Sequence, residues 1–181
     1  MEDRYTLRRV GLEEIGRRGR PADDPACEAT ARRIMDEVRD GGEAALARLA
    51  AELDGNAGRL WYGPDDFASA LQSIPAAERG VLERAAGRVG AFAAAQLASL
   101  GTVDLAVPGG RAGHEVLPVE RAGCYVPGGR YPLPSTVLMT ALVARTAGVA
   151  DVAVACPRPS PLILAACAVA GADSLLAARR P

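Results

Sequence analysis

Lysine is absent: all 21 basic residues of this 181-residue chain are arginine. That removes Schiff-base chemistry and a lysine general base, because a guanidinium does not give up its proton in a protein. A GC-rich coding sequence accounts for the bias and for the abundance of Ala, Gly and Pro. Histidine occurs once, as His114. A catalytic zinc usually draws three His, Cys or carboxylate ligands to one open position, and a lone imidazole cannot be both ligand and base. The cysteines are Cys27, Cys124, Cys156 and Cys167, with no pair at two-residue spacing. They suit neither a zinc site nor a disulfide framework, and they read as small buried hydrophobes in a reducing compartment. Aromatics are 4% of residues, so a core must be built from Ala, Val and Leu. The net charge of −1 leaves no concentrated positive field for nucleic acid or an anionic membrane. Met1–Arg20 is charged and lacks the apolar run of a signal peptide, and no stretch reaches the ~20 apolar residues of a spanning helix. The expectation is a cytoplasmic protein with no membrane partner.

What is present is enough for an ordinary globular core: 49% hydrophobic and 24% charged residues. Residues 1–117 read as a mainly helical region. Asp24-Pro25 looks like a helix cap followed by proline at the first helical position. Ile34, Val38, Ala45, Leu46 and Leu49 recur at helical spacing, interrupted by Gly41-Gly42, and Asp54-Gly55-Asn56 ends the pattern. Pro64-Asp65-Asp66 starts a short helix through Leu71, its acids serving the helix start. Pro75 starts a longer helix to about Leu100, with Leu82, Ala85, Val89 and Phe92 on one face. His114, in Gly113-His114-Glu115, reads as a loop residue.

From Leu117-Pro118 the pattern changes, and residues 118–181 read as a truncated Rossmann-like unit. Ala122–Val126 is expected as a strand, Ser135–Ala147 as a helix capped by Ser135 and stopped by Gly148, and Asp151–Cys156 as a strand. A second helix over Ser160–Ala170 stops at Gly171, and Asp173–Ala177 forms a third strand. The fold class expected is α/β: a helical N-terminal region followed by a partial Rossmann-like parallel βαβαβ unit.

The stretch richest in information is Gly123-Cys124-Tyr125-Val126-Pro127-Gly128-Gly129, continued by Pro132-Leu133-Pro134-Ser135-Thr136-Val137-Leu138-Met139. A strand ending in a glycine turn before a helix N-terminus is a place where open α/β sheets bind ligands, and the helix end favours a phosphate. Gly128 and Gly129 would let backbone approach a ligand, and Tyr125 could lie against a base or ribose. A Pro-Gly-Gly turn without further function is the competing reading, since the stretch lacks a G-x-G-x-x-G pattern.

These segments resemble the histidinol dehydrogenase family. The resemblance rests on Glu120–Gly123, Tyr125–Gly129 and Pro134–Met139, then on Ala147-Gly148-Val149 and Cys156-Pro157. Upstream, Val38–Leu46 and Leu53-Asp54-Gly55 add to it. It implies a homodimeric, zinc-dependent enzyme that oxidises L-histidinol to L-histidine through the aldehyde in two NAD-dependent steps. It gives Tyr125 an NAD-contacting role and makes Gly128 and Gly129 weaker candidates for the same pocket. It also implies zinc ligands and a Glu-His acid–base pair in a later part of a longer chain, with no counterpart here, so no catalytic or metal residue is assigned. Phe92-Ala93 departs from the family's Phe-His, and Arg179-Arg180-Pro181 stands where relatives carry a glycine pair. The expectation is a truncated form with little activity alone, pairing with a second copy or with a missing C-terminal half. The alternatives are a non-enzymatic remnant or interaction module, or one half of a split alcohol dehydrogenase.

Overall fold

The computed structural model describes Gly11, residues 25–128 and residues 131–178. The expectations for Met1–Arg20, Asp24, Gly129 and the Arg179-Arg180-Pro181 ending fall outside those residues. The described chain divides into two compact units that meet in sequence between Asp40 and Gly41.

The first helix, α1, spans Pro25–Asp54 and is interrupted at Gly42, whose φ of 56° and ψ of −141° are not helical. This is the glycine-pair break the sequence pattern marks, because few other residues take that conformation. In the unit before the break, Ala31, Ile34 and Val38 form a half-buried stripe. The opposite surface carries Glu28–Arg32 at 2.8 Å and Asp36–Arg39 at 2.6 Å, exposed pairs that water screens and that add little to stability. Cys27 is exposed, so the reading of all four cysteines as buried holds for three.

The unit from Gly41 onward is built on a four-stranded sheet. Its strands are β1 (Trp61–Tyr62), β4 (Arg121–Tyr125), β5 (Asp151–Ala155) and β6 (Ser174–Leu176), in the order β1-β6-β5-β4. The pairs β4–β5 and β5–β6 are parallel, with Cys124 opposite Val154 and Val154 opposite Leu175, while β1 joins β6 antiparallel. The expected parallel βαβαβ unit is therefore present.

Side-chain alternation gives the sheet two unlike faces. Cys124, Val152, Val154 and Leu175 are buried in one core shared with the helices α2 (Pro64–Ser73), α3 (Ala76–Ala98) and α5 (Pro161–Ala170), and with α4. The α4 run consists of Pro134–Val137, a π-helical stretch Leu138–Leu142, and Val143–Thr146. Phe67 of α2 is 1% exposed in this core and is its largest fully buried side chain. Removing a ring so enclosed would cost about 3–5 kcal/mol. Toward β6 the second face is covered: Ala50 and Leu46 of α1 pack with Leu60, Leu176 and Ala178. Over β4 and β5 that face carries the smaller Gly123, Ala153 and Ala155, which are exposed or half-buried.

Local chemistry explains the element ends. Asp66 accepts from the Gly63 N–H at 2.9 Å and pairs with Arg59 at 2.6 Å, fixing the start of α2. Its carboxyl lies below the usual range, first because of the Gly63 N–H and then because of Arg59. Ser160 accepts from the Ile163 N–H at the start of α5, and Gly171, with φ 70°, ends it. Gly148 follows α4 with φ 89°.

Several expectations are corrected. The first residue before α4 is Leu133, and Ser135 makes no capping bond, because Pro134 already occupies the first helical position. Phe92 is 68% exposed, and the packed face of α3 is Leu82, Ala86 and Ala93. His114 ends a strand rather than sitting in a loop: β2 (Val103–Val107) and β3 (Gly110–His114) form a separate antiparallel hairpin. Pro108 and Gly109, with φ 88°, supply its two-residue turn. All ten strand residues of this hairpin are exposed.

Candidate functional site

At the carboxyl ends of β4 and β5 the chain leaves the sheet twice, through Val126–Gly128 and through Cys156–Ser160. Val126 stays anchored by donating its N–H to Ala155 O at 2.8 Å, and Cys156 donates to Leu176 O at 2.9 Å. The two loops therefore diverge from a fixed edge. Between them lies a cleft of about 170 Å³ lined by Pro127, Gly128, Tyr131, Leu133, Cys156, Arg158, Ser160 and neighbouring residues. Leu133 and Ser160 immediately precede α4 and α5, so both crossover helices begin at the rim. This is where a doubly wound sheet accepts ligands.

Gly128 lines the cleft, but the physical requirement for glycine there is a contact within the protein. A Cβ at this position would stand 2.5 Å from Pro157 Cγ. The missing side chain lets the two loops close on each other, which is what gives the cleft its wall. Tyr125 is placed differently from Gly128. It is the last residue of β4, opposite Ala155 in register and half-buried, and it does not line the cleft. Its neighbour Cys124 is buried in the core beneath the helices, so alternation turns Tyr125 toward the other face. The structure thus separates two residues that the sequence pattern groups in one pocket. Gly129 lies outside the described residues.

Among the described residues that line it, the cleft carries one formal charge, the Arg158 guanidinium, and no carboxylate. Arg158 is exposed. The sequence reading assigned no role to Arg158, Ser160 or Tyr131. A usable signal existed: Cys156-Pro157-Arg158-Pro159-Ser160 is the second strand-to-helix turn, and the strand-end rule applies to it as much as to the first.

Three thiols lie in the core. Burial raises the Cys124 and Cys156 thiols above their ordinary value, and it pushes Cys167 up to about 12. Thiols in this state are poor nucleophiles and poor metal ligands. His114 Nε2 lies 2.9 Å from Gly101 O on the exposed hairpin. Among the described residues, no three His, Cys, Asp or Glu side chains are grouped so as to hold a metal ion. The donor set of the described residues does not fit a catalytic zinc. No helix among the described residues is long and apolar enough to cross a membrane.

Comparison with known proteins places these features in context. The family model described as histidinol dehydrogenase matches residues 17–178. Histidinol dehydrogenase of Bordetella parapertussis is 37% identical over 162 residues, which cover 85% of this chain and 37% of that protein. The Thermus thermophilus histidinol dehydrogenase is 40% identical over 160 residues, with the same shares of the two chains. Sulfopropanediol 3-dehydrogenase of Ruegeria pomeroyi is 34% identical over 157 residues, covering 83% of this chain and 36% of that one. The chain thus spans little more than a third of the length of these relatives. A crystal structure of histidinol dehydrogenase from Elizabethkingia anophelis matches with a TM-score of 0.77 at 22% identity. It covers 94% of this chain and 41% of that one, and at this identity the likeness establishes the fold.

Proposed function

This chain belongs to the histidinol dehydrogenase family, and on that premise we propose that it forms the cofactor-binding part of an NAD-dependent dehydrogenase acting on a small polar alcohol. The observation that carries the reading is the cleft at the carboxyl edge of β4 and β5, closed by the Gly128–Pro157 contact. L-Histidinol is the substrate proposed from the family. A relative named for sulfopropanediol keeps the substrate class broader than amino alcohols.

NAD, when bound, supplies the acceptor for the hydride. The residues of this chain hold and orient it. The loop walls at Pro127–Gly128 and Cys156–Ser160 enclose one portion, since about 170 Å³ is smaller than the ~300–1,000 Å³ of a pocket that encloses a drug-sized ligand. Tyr125, at the end of β4, offers a ring to a portion lying across the sheet edge. Zinc and acid–base chemistry, as the family resemblance implies them, belong to sequence beyond the part of the relatives that this chain spans. The proposed partners are accordingly a second copy of the chain or a polypeptide that carries the remaining family sequence. The three buried thiols suit a reducing cytoplasmic compartment.

Titration of the purified chain with NAD, followed calorimetrically, tests the cofactor reading. Saturable binding that weakens in Tyr125→Ala is expected. Absence of binding at millimolar NAD would remove the proposal, and unchanged affinity in the variant would remove Tyr125 from the site.

A further inference from the structure

Resting on the cofactor reading, we infer that Arg158 is the residue that recognises a phosphate group in the cleft, and so makes the site selective for phosphorylated ligands. Four observations carry this. Among the described residues, Arg158 is the one charged side chain on a lining otherwise made of Pro, Gly, Leu, Ile, Tyr, Ser and Cys. No ion pair or side-chain hydrogen bond occupies its guanidinium among the described residues, whereas Arg59, Arg111, Arg121 and Arg145 each have a carboxylate partner. The cleft has room for a phosphate with part of its sugar. Finally, the start of α5 offers an anion few backbone donors. Pro161 has no N–H, and the N–H groups of Ile163 and Leu164 both go to Ser160 O, at 2.9 and 3.1 Å. A guanidinium adds the donors that this helix start lacks.

A guanidinium presents parallel N–H donors that match two oxygens of a phosphate, and these charge-assisted bonds are stronger than neutral ones. Among the described lining residues no carboxylate stands beside this positive charge, so the cleft favours an anionic group. Tyr131 and Leu133, on the opposite loop, border the same space and would contact the sugar side of the group rather than its charge.

Binding of NAD, ADP-ribose, inorganic phosphate and adenosine to the full chain, measured calorimetrically at low and high salt, tests the assignment. Arg158→Gln should weaken NAD, ADP-ribose and phosphate about tenfold and leave adenosine unchanged. Arg158→Lys should recover part of the loss, and added salt should weaken the native chain more than Arg158→Gln. Arg32→Gln, far along the sequence and already ion-paired on α1, serves as the charge control and should match the native chain. Native-like NAD affinity in Arg158→Gln would overturn the inference while leaving the cofactor reading intact. Phosphate binding that depends on Arg158, without NAD binding, would overturn the cofactor reading and support the anion site. A native chain that binds neither would end both.

Discussion

Replacing Arg145 by methionine should lower the stability of this fold more than the loss of an ordinary surface arginine. Arg145 sits in the last turn of α4 and reaches three separate segments. Its Nε and Nη2 donate to Gly171 O at 3.0 and 2.7 Å, and its Nη1 donates to Val149 O and Ala150 O at 2.9 Å each. Nη2 also pairs with the Asp173 carboxylate, which in turn accepts from the Val152 N–H at 2.7 Å. One guanidinium thereby ties the end of α5, the loop after α4 and the start of β5. Hydrogen bonds from a charged group contribute about 1.5–3 kcal/mol each when well enclosed. Here the Arg145 side chain is 32% exposed and Asp173 47% exposed, so water replaces part of what is lost. The total expected for Arg145→Met is about 2–4 kcal/mol, a large share of the ~5–15 kcal/mol of a typical domain. At about 2–4 °C per kcal/mol for a chain of this size, the melting temperature should fall by about 5–15 °C. Circular dichroism during heating, checked by urea unfolding, measures it. Acid adds a second signature. Burial works to raise the Asp173 pKa, but the Val152 N–H and the hydrogen bond and charge of Arg145 outweigh it and hold it below the ordinary value. Its contribution is therefore complete above the unfolded carboxylate pKa of about 3.9 and is lost as pH falls through the lower folded value. The gap between native and Asp173→Asn should narrow on acidification through that range. A melting-temperature change within about 2 °C for Arg145→Met would refute the reasoning, since it would mean that solvent satisfies all three segments.

Two further outcomes follow from the same geometry. Gly128→Ala places a Cβ against Pro157, so it should cost about 1–3 kcal/mol and reshape the cleft. Pro157→Ala added to it should restore part of the stability, and two separately additive losses in urea melts would count against the contact. Thiol titration of the native chain at mild alkaline pH should show Cys27 reacting fast. Cys124, Cys156 and Cys167 should wait for unfolding, because burial raises their pKa; fast reaction of all four would contradict the core described.

Local chemistry made much of this chain legible before any tertiary information. Glycine at 42, proline at 64, serine at 160 and glycine at 171 each mark an element boundary, because each satisfies or forbids a particular backbone state within a residue or two. The parallel unit followed from apolar runs alternating with helix-length segments, and the family resemblance from the Tyr125–Gly129 stretch with Pro134–Met139. Tertiary structure decided what depends on distant partners. β1 is two residues long and exists because β6 pairs with it. Phe92 faces outward and Ala93 inward because the neighbours of α3 select its packed face. Gly128 meets Pro157, twenty-nine positions away along the chain, in a contact that leaves no space for a Cβ. Arg158 faces a cleft whose other described lining residues are uncharged, because two loops meet there. Periodicity and turn chemistry act within a few residues, so they fix elements; the pairing of faces and the lining of a cleft arise between segments, and no single stretch of sequence contains them.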